Sequence, residues 1–298
     1  MAIALPARRA PALFARLSIV RDVARTPGGL FGLLVLIGLL TIVAFAPLLA
    51  PYDPAQQDIV NRLRPPSADH LLGTDQLGRD LLSRLLFATR VALGVAFPAV
   101  LTALGAGLVI GLIAGYVGGW IDNLMIVLMD TMQSIPSVPL ALFLLALLGP
   151  SLRNVIIAIA VAFAPAYARV ARALALATKE NQFVEAERSL GASDLRIISV
   201  HIVPNMIAPL FVLLAMDLPS AIITEAGLSF LGIGVQPPDV SWGTILSDGF
   251  QRVRDTPWPV LWAGLAIMVA TLGFTLLAES LRDIVDPRVA GLRRWRRA

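Results

Sequence analysis

The sequence predicts an all-α polytopic membrane protein with six transmembrane helices, and three observations carry that prediction. Hydrophobic residues are 57% of the 298 and charged residues only 15%, whereas soluble domains carry about 25% charged. The apolar residues gather into six runs, five of them near or above the roughly 20 residues that cross a bilayer. The basic residues sit at the chain ends and between runs, where the positive-inside rule places them.

Residues 29–50 contain no charge, and fourteen of them are Leu, Ile, Val or Phe. The run exceeds the apolar core of a signal peptide, and Pro47, Pro51 and Pro54 follow it without a small-residue cleavage pattern. It reads as a retained span. The remaining runs cover residues 91–116, 123–148, 154–168, 202–234 and 257–278. The fourth is short and is expected to continue as helix past Arg169, its arginine heads snorkelling to the interface.

Orientation follows from the arginines. The first tail, the loop after the fourth run and the last tail hold sixteen of the 24 basic residues. They include Arg8, Arg9 and Arg16, then Arg169, Arg172, Lys179, Arg188 and Arg196, then Arg282 and Arg293. Both termini are therefore expected in the cytoplasm of a multi-pass inner-membrane protein. The chain divides into a cytoplasmic tail (1–28), a first span with an outside segment (29–90), a membrane core (91–280) with an interior loop at 169–203, and a basic tail (281–298).

Outside the bilayer, residues 51–66 are proline-rich and residues 76–86 pattern as a helix, with Leu77, Leu81, Leu82 and Leu85 on one face and Arg79, Asp80 and Arg84 off it. That helix is expected either on the membrane surface or as an elbow into the second span. Trp242 and Trp258, near the second outside segment, suit an interfacial belt.

Several chemistries are excluded. Cysteine is absent, which removes disulfides and thiolate sites. The one lysine, Lys179, has no glycine-rich phosphate loop before it, so the chain lacks its own nucleotide site. Neither His-Glu-x-x-His nor Gly-x-Ser-x-Gly occurs, and no catalytic, cofactor or metal residues are assigned. The formal charge of +4 is dispersed, unlike the dense face of a nucleic-acid binder.

Ionisable residues in or beside the runs are Asp130, Asp217, Glu225 and Glu279. Asp130 is expected at the cytoplasmic interface, because residues 131–152 alone could span, and Glu279 at the end of the sixth span. Asp217 and Glu225 are eight residues apart, within about 80° on a regular helix, with Pro219 between them as a candidate bend. They are candidates for polar packing at a subunit interface or for contact with solute or a gate. His70 and His201 read as satisfied surface or interface side chains.

The interior loop reads as two short helices. Phe183, Ala186 and Leu190 share one side of the first, Gly191 suits a left-handed cap, and Ser193 and Asp194 suit the start of the second. Shape alone fits either a projecting loop or an amphipathic segment folded on the interface. The wording of the loop is Glu185-Ala186-Glu187-Arg188-Ser189-Leu190-Gly191, followed by Ile202-Val203-Pro204. It resembles the EAA loop of ABC importer permeases, with Glu187 at a usual alanine and Val203 at a usual leucine.

The runs Leu49-Ala50-Pro51-Tyr52-Asp53-Pro54, Leu72-Gly73-Thr74-Asp75-Gln76-Leu77-Gly78-Arg79-Asp80 and Glu225-Ala226-Gly227-Leu228-Ser229-Phe230 are similar to the C-type subunit of dipeptide, oligopeptide and nickel importers. This resemblance implies a type I ABC importer permease fold and half of a pathway for peptides or a related solute such as nickel. Its implied partners are a second permease, two ATP-binding subunits that use ATP and Mg, and a periplasmic solute-binding protein. It also implies that Glu185, Ala186, Leu190, Gly191 and Pro204 couple to the ATPase. The alternative is a secondary transporter driven by an ion gradient, which would need membrane-embedded carboxylates for coupling.

Overall fold

The computed structural model describes residues 20–285. Arg8, Arg9, Arg16 and the arginines of the last tail from Arg288 onward lie outside the described residues. Helix α1 is Pro27–Leu49 and α2 is Leu81–Val117. The third apolar run forms α3, Gly119–Gln133, and α4, Ser137–Leu148. Helix α5 is Leu152–Lys179, the short helices α6 and α7 are Gln182–Ser189 and Asp194–Ile197, and α8 is Val203–Phe230. Helix α9, Trp242–Phe250, precedes α10, Trp258–Val285. No strand occurs among the described residues.

Five helices are long and apolar enough to cross a membrane, and α3 with α4 makes a sixth if the bent pair is one span. The third run is bent, with α3 and α4 meeting at 91°. Pro136 lacks the donor that would continue α3, and it biases Ile135 away from helical backbone. Helix α5 does run past Arg169, to Lys179. Helix α8 continues through Pro209 and Pro219, so Pro219 does not end it.

The most extensive helix pair is α2 with α5. Gly107, Gly111 and Gly115 on α2 form a seam of fourfold spacing that lets the backbones touch. A Cβ would stand 2.4 Å from Tyr167 Cβ at Gly107, 2.2 Å from Ala168 O at Gly111 and 2.7 Å from Arg172 O at Gly115. Helices α1 and α10 pair by the same device: a Cβ on Gly32 would lie 2.6 Å from Gly273 O. Thr26 at the start of α1 meets Ser280 near the end of α10, with hydroxyls 3.2 Å apart. The two described ends of the chain therefore lie on one side of the bundle.

The expected helix over 76–86 is also corrected. Asp80 caps α2 by accepting from Ser83 N at 2.8 Å, so the helix starts at Leu81, and residues 75–78 form a turn with Gly78 at φ +72°. The elbow is the arrangement present. Arg79, Asp80 and Arg84 are not on a solvated face. Asp75 accepts from Leu77 N and Arg79 N, each at 2.9 Å, and from Arg79 Nε at 2.6 Å. Arg84 Nε lies 3.3 Å from the same carboxylate, and Asp248 of α9 stands 3.5 Å from Arg79 and 3.8 Å from Arg84. His70 Nδ1 meets Asp80 Oδ1 at 3.0 Å. Trp242 is 1% exposed, so it belongs to the core rather than to an interfacial belt. Trp258 stacks on Trp262, with ring centroids 6.1 Å apart.

Candidate functional site

The site at the end opposite the Asp75 cluster is built from α5, α6, α7 and the end of α2. Helix α5 ends when Asn181 turns the chain. Helix α6 ends at Ser189, where Gly191 takes φ +85°, a backbone that side chains with a Cβ rarely adopt. Ser193 then caps α7, its hydroxyl accepting from Arg196 N at 3.4 Å. Asp194 occupies the first turn, where a carboxylate suits the helix dipole. One π turn over Ile198–Ile202 leads into α8, and Pro204 sits in the first turn of α8. Residues 169–179 are the last turns of α5, so the projecting part of the 169–203 segment is shorter than its sequence limits.

Val184 and Ile197 turn inward, at 1% and 0% exposure. The opposite side is open: Glu185, Ala186 and Pro204 are exposed, as are Phe183, Leu190 at 85% and Leu195 at 75%. Glu187, the charge at the usual alanine position, is only partly exposed and reaches back to His201, 3.5 Å away. Phe183 packs against the same imidazole. The loop is further tied to α2 through Tyr116, whose hydroxyl donates to Asp194.

Beside the loop, α3 is clamped to α5. Arg172 Nη2 donates to Asp122 at 2.6 Å, with a second bond from Nε to the other carboxylate oxygen. Arg169 meets Asp130 at 2.7 Å. These two arginines therefore do more than snorkel, since each pairs with a carboxylate of the bent third run. Asp130 is exposed near the break at Pro136 rather than at the head of an unbroken span.

Asp217 is half-buried on α8 beside the hydroxyl of Tyr167, which is buried without a hydrogen bond of proper geometry. Glu225 is 0% exposed. Its Oε1 accepts from the Ser229 hydroxyl at 2.8 Å, the Ser241 side chain also stands beside the carboxylate, and Oε2 makes no well-formed hydrogen bond among the described residues. The two carboxylates share α8 but not an environment. Sequence reading overlooked Tyr116, Asp122 and the glycine seam. The glycines carried a readable spacing, whereas nothing near Tyr116 announces its contacts.

A bundle of long apolar helices, with an apolar-faced loop projecting from one end and no strands among the described residues, defines a helical membrane protein of the multi-pass class. The chain matches the family described as binding-protein-dependent transport system inner membrane component over residues 107–291. Residues 18–66 match the N-terminal TM domain of oligopeptide transport permease C. It is 42% identical to a dipeptide transport system permease protein of Alkalihalophilus pseudofirmus over 87% of this chain and 85% of that one. It is 41% identical to a di/tripeptide transport system permease protein of Pseudomonas aeruginosa, over 89% and 90% of the two chains. A dipeptide transport system permease protein of Escherichia coli K12 shares 42% over 89% and 90%. The chain belongs to this family of ABC importer permeases, as a C-type subunit of the dipeptide and oligopeptide branch.

Proposed function

We propose that the chain forms half of a peptide translocation pathway in a bacterial inner membrane and receives its driving force from a separate ATPase at the 182–197 loop. The observation that carries this reading is the exposure of Phe183, Ala186, Leu190 and Leu195 on a charged loop, in the segment whose wording resembles the family's EAA loop. Leaving such apolar groups in water is unfavourable, and burial against a partner removes that cost. Glu185 and Gly191 add a charge at the rim and the turn that presents the face.

In this reading the loop and both termini are cytoplasmic, supported by the arginine distribution and by the contact between Thr26 and Ser280. A second permease completes the pathway, two ATP-binding subunits use ATP and Mg, and a periplasmic solute-binding protein delivers peptide to the opposite end. ATP-driven closure of the ATPases displaces the loop, and the helices turn as levers between two accessible states. Peptide as the solute is supported by the printed functions of the relatives.

Co-purification from the native membrane tests the docking. An ATPase accompanying the parent chain and leaving the Glu185→Arg chain is the expected result; its absence from the parent under conditions that preserve complexes would count against it. An ion-gradient mechanism would instead make Asp217 indispensable, because Glu225 is closed off inside the chain. Retention of ATP-dependent uptake in Asp217→Asn separates the two.

A further inference from the structure

We propose that Tyr116 is a positioning residue that transmits displacement of the 182–197 loop to α2. This rests on the reading that the loop docks an ATPase. Tyr116 is in the last turn of α2, and three elements converge on it. The hydroxyl donates to Asp194 of α7, and Arg188 of α6 donates to the same oxygen at 3.5 Å. At the end of α5, Lys179 Nζ donates to the Tyr116 carbonyl at 2.6 Å and lies 5.4 Å from the ring centroid.

Among the described residues these are the only side-chain hydrogen bonds that Arg188 and Asp194 make. One phenol oxygen is thus the polar tie between both short helices and a long helix of the bundle. The bond to Asp194 has a carboxylate acceptor, which makes it stronger than a neutral one, and the longer Arg188 contact is the weaker of the two. Below Tyr116, α2 is locked to α5 along Gly107, Gly111 and Gly115, so a push on the phenol is delivered to a close-packed pair rather than to a loose end. The ring and the carbonyl tie hold Tyr116 to Lys179 without help from the hydroxyl. Tyr116→Phe therefore removes the phenol's hydrogen bonds to the loop while leaving the junction of α2 and α5 in place.

The chain has no cysteine, so a single one introduced as Leu101→Cys, at a half-exposed position of α2, reports movement of that helix. The experiment uses the complex assembled with its ATPases and partner permease, in liposomes. It measures ATP hydrolysis, ATPase retention and the ATP-dependent change in labelling of that cysteine by a maleimide. Tyr116→Phe is expected to keep ATPase retention and hydrolysis within about twofold while the ATP-dependent labelling change falls about fivefold or more. Asp194→Ala, which removes the same bond from the other side, is expected to do likewise. The double variant is expected to be no worse than either single, as for two residues acting through one contact.

An unaltered labelling response in both single variants overturns the proposal. So does loss of the ATPase from them, which would make Tyr116 a docking or folding residue, and so does a parent complex whose labelling ignores ATP. A parent chain that captures no ATPase is a different failure: it overturns the docking reading beneath this one.

Discussion

The two ends of the bundle solve opposite problems. At the end formed by residues 51–80 and 231–257, charges are buried and answered within the chain: Asp75, Arg79, Arg84 and Asp248 tie segments 169 residues apart. Ser241 and Thr244 close a reciprocal cap on α9, and Gly73, Gly78 and Gly243 there sit against backbone with no room for a Cβ. At the end formed by α6 and α7, charges are exposed, apolar side chains face outward, and Gly191 has nothing within 4 Å of a would-be Cβ. The first end answers its central charges within the chain, and it too exposes apolar side chains such as Val60, Leu71 and Phe250. The second end carries the face that the docking proposal assigns to a partner.

The sharpest way to break that contrast is to remove a charge at each end. Asp75→Asn leaves Arg79 and Arg84 with only the more distant Asp248, and breaking a buried pair costs about 3 to 5 kcal/mol. Asp130→Asn removes the partner of Arg169 where both side chains are more than half exposed, a change of about 1 kcal/mol or less. Thermal denaturation of the purified chain in detergent compares them. Equal losses would mean that the outer cluster is not the self-sufficient element described.

Two glycines sharpen the same contrast with backbone alone. Gly78 and Gly191 both have positive φ, at +72° and +85°. An L residue in that region costs about 1 to 2 kcal/mol. At Gly78 the Cβ would also meet Asp58 O at 1.7 Å, adding about 1 to 3 kcal/mol of forced displacement. Gly78→Ala should therefore lower the melting temperature more than Gly191→Ala, which should retain a folded chain and act on transport.

Leu190→Ser should separate folding from docking. At 85% exposure the side chain contributes little within the chain, so the melting temperature should stay within measurement error. Burial of a leucine is worth about 1.5 to 3 kcal/mol, so retention of the ATPase should weaken about tenfold or more. A Leu190→Ser chain that holds its ATPase as tightly as the parent would remove this side chain from the docking face.

What the sequence revealed divides along the same line. Gly191, Ser193 and Asp194 were legible because caps and turns are decided within three or four residues, and the apolar runs were legible because lipid demands them. The Asp75 cluster was not: Arg79 and Arg84 pattern as the wet face of a helix until Asp80 is seen to start that helix at Leu81. Their partner Asp248 is also remote in the chain. Trp242 misled for a similar reason, since tryptophan beside a span suits an interface and only tertiary packing buries it. The bend at Pro136 was readable in Ser134-Ile135-Pro136-Ser137, but the length of the apolar run outweighed it.

Glu187 is the smallest and most discriminating case. It stands at a position where the EAA pattern usually has alanine, and the sequence leaves the effect of its charge on the seating of a partner open. In the structure the carboxylate turns away from the apolar face formed by Leu190 and Leu195 and toward His201, with side chains 32% and 23% exposed. A partly solvated pair of this kind contributes up to about 1 kcal/mol, so Glu187→Ala should leave ATPase retention within about twofold. Glu185→Ala, two residues earlier on α6 and exposed, should weaken retention more. If the order is reversed, Glu187 leaves His201 on docking, and the charge belongs to the contact surface after all.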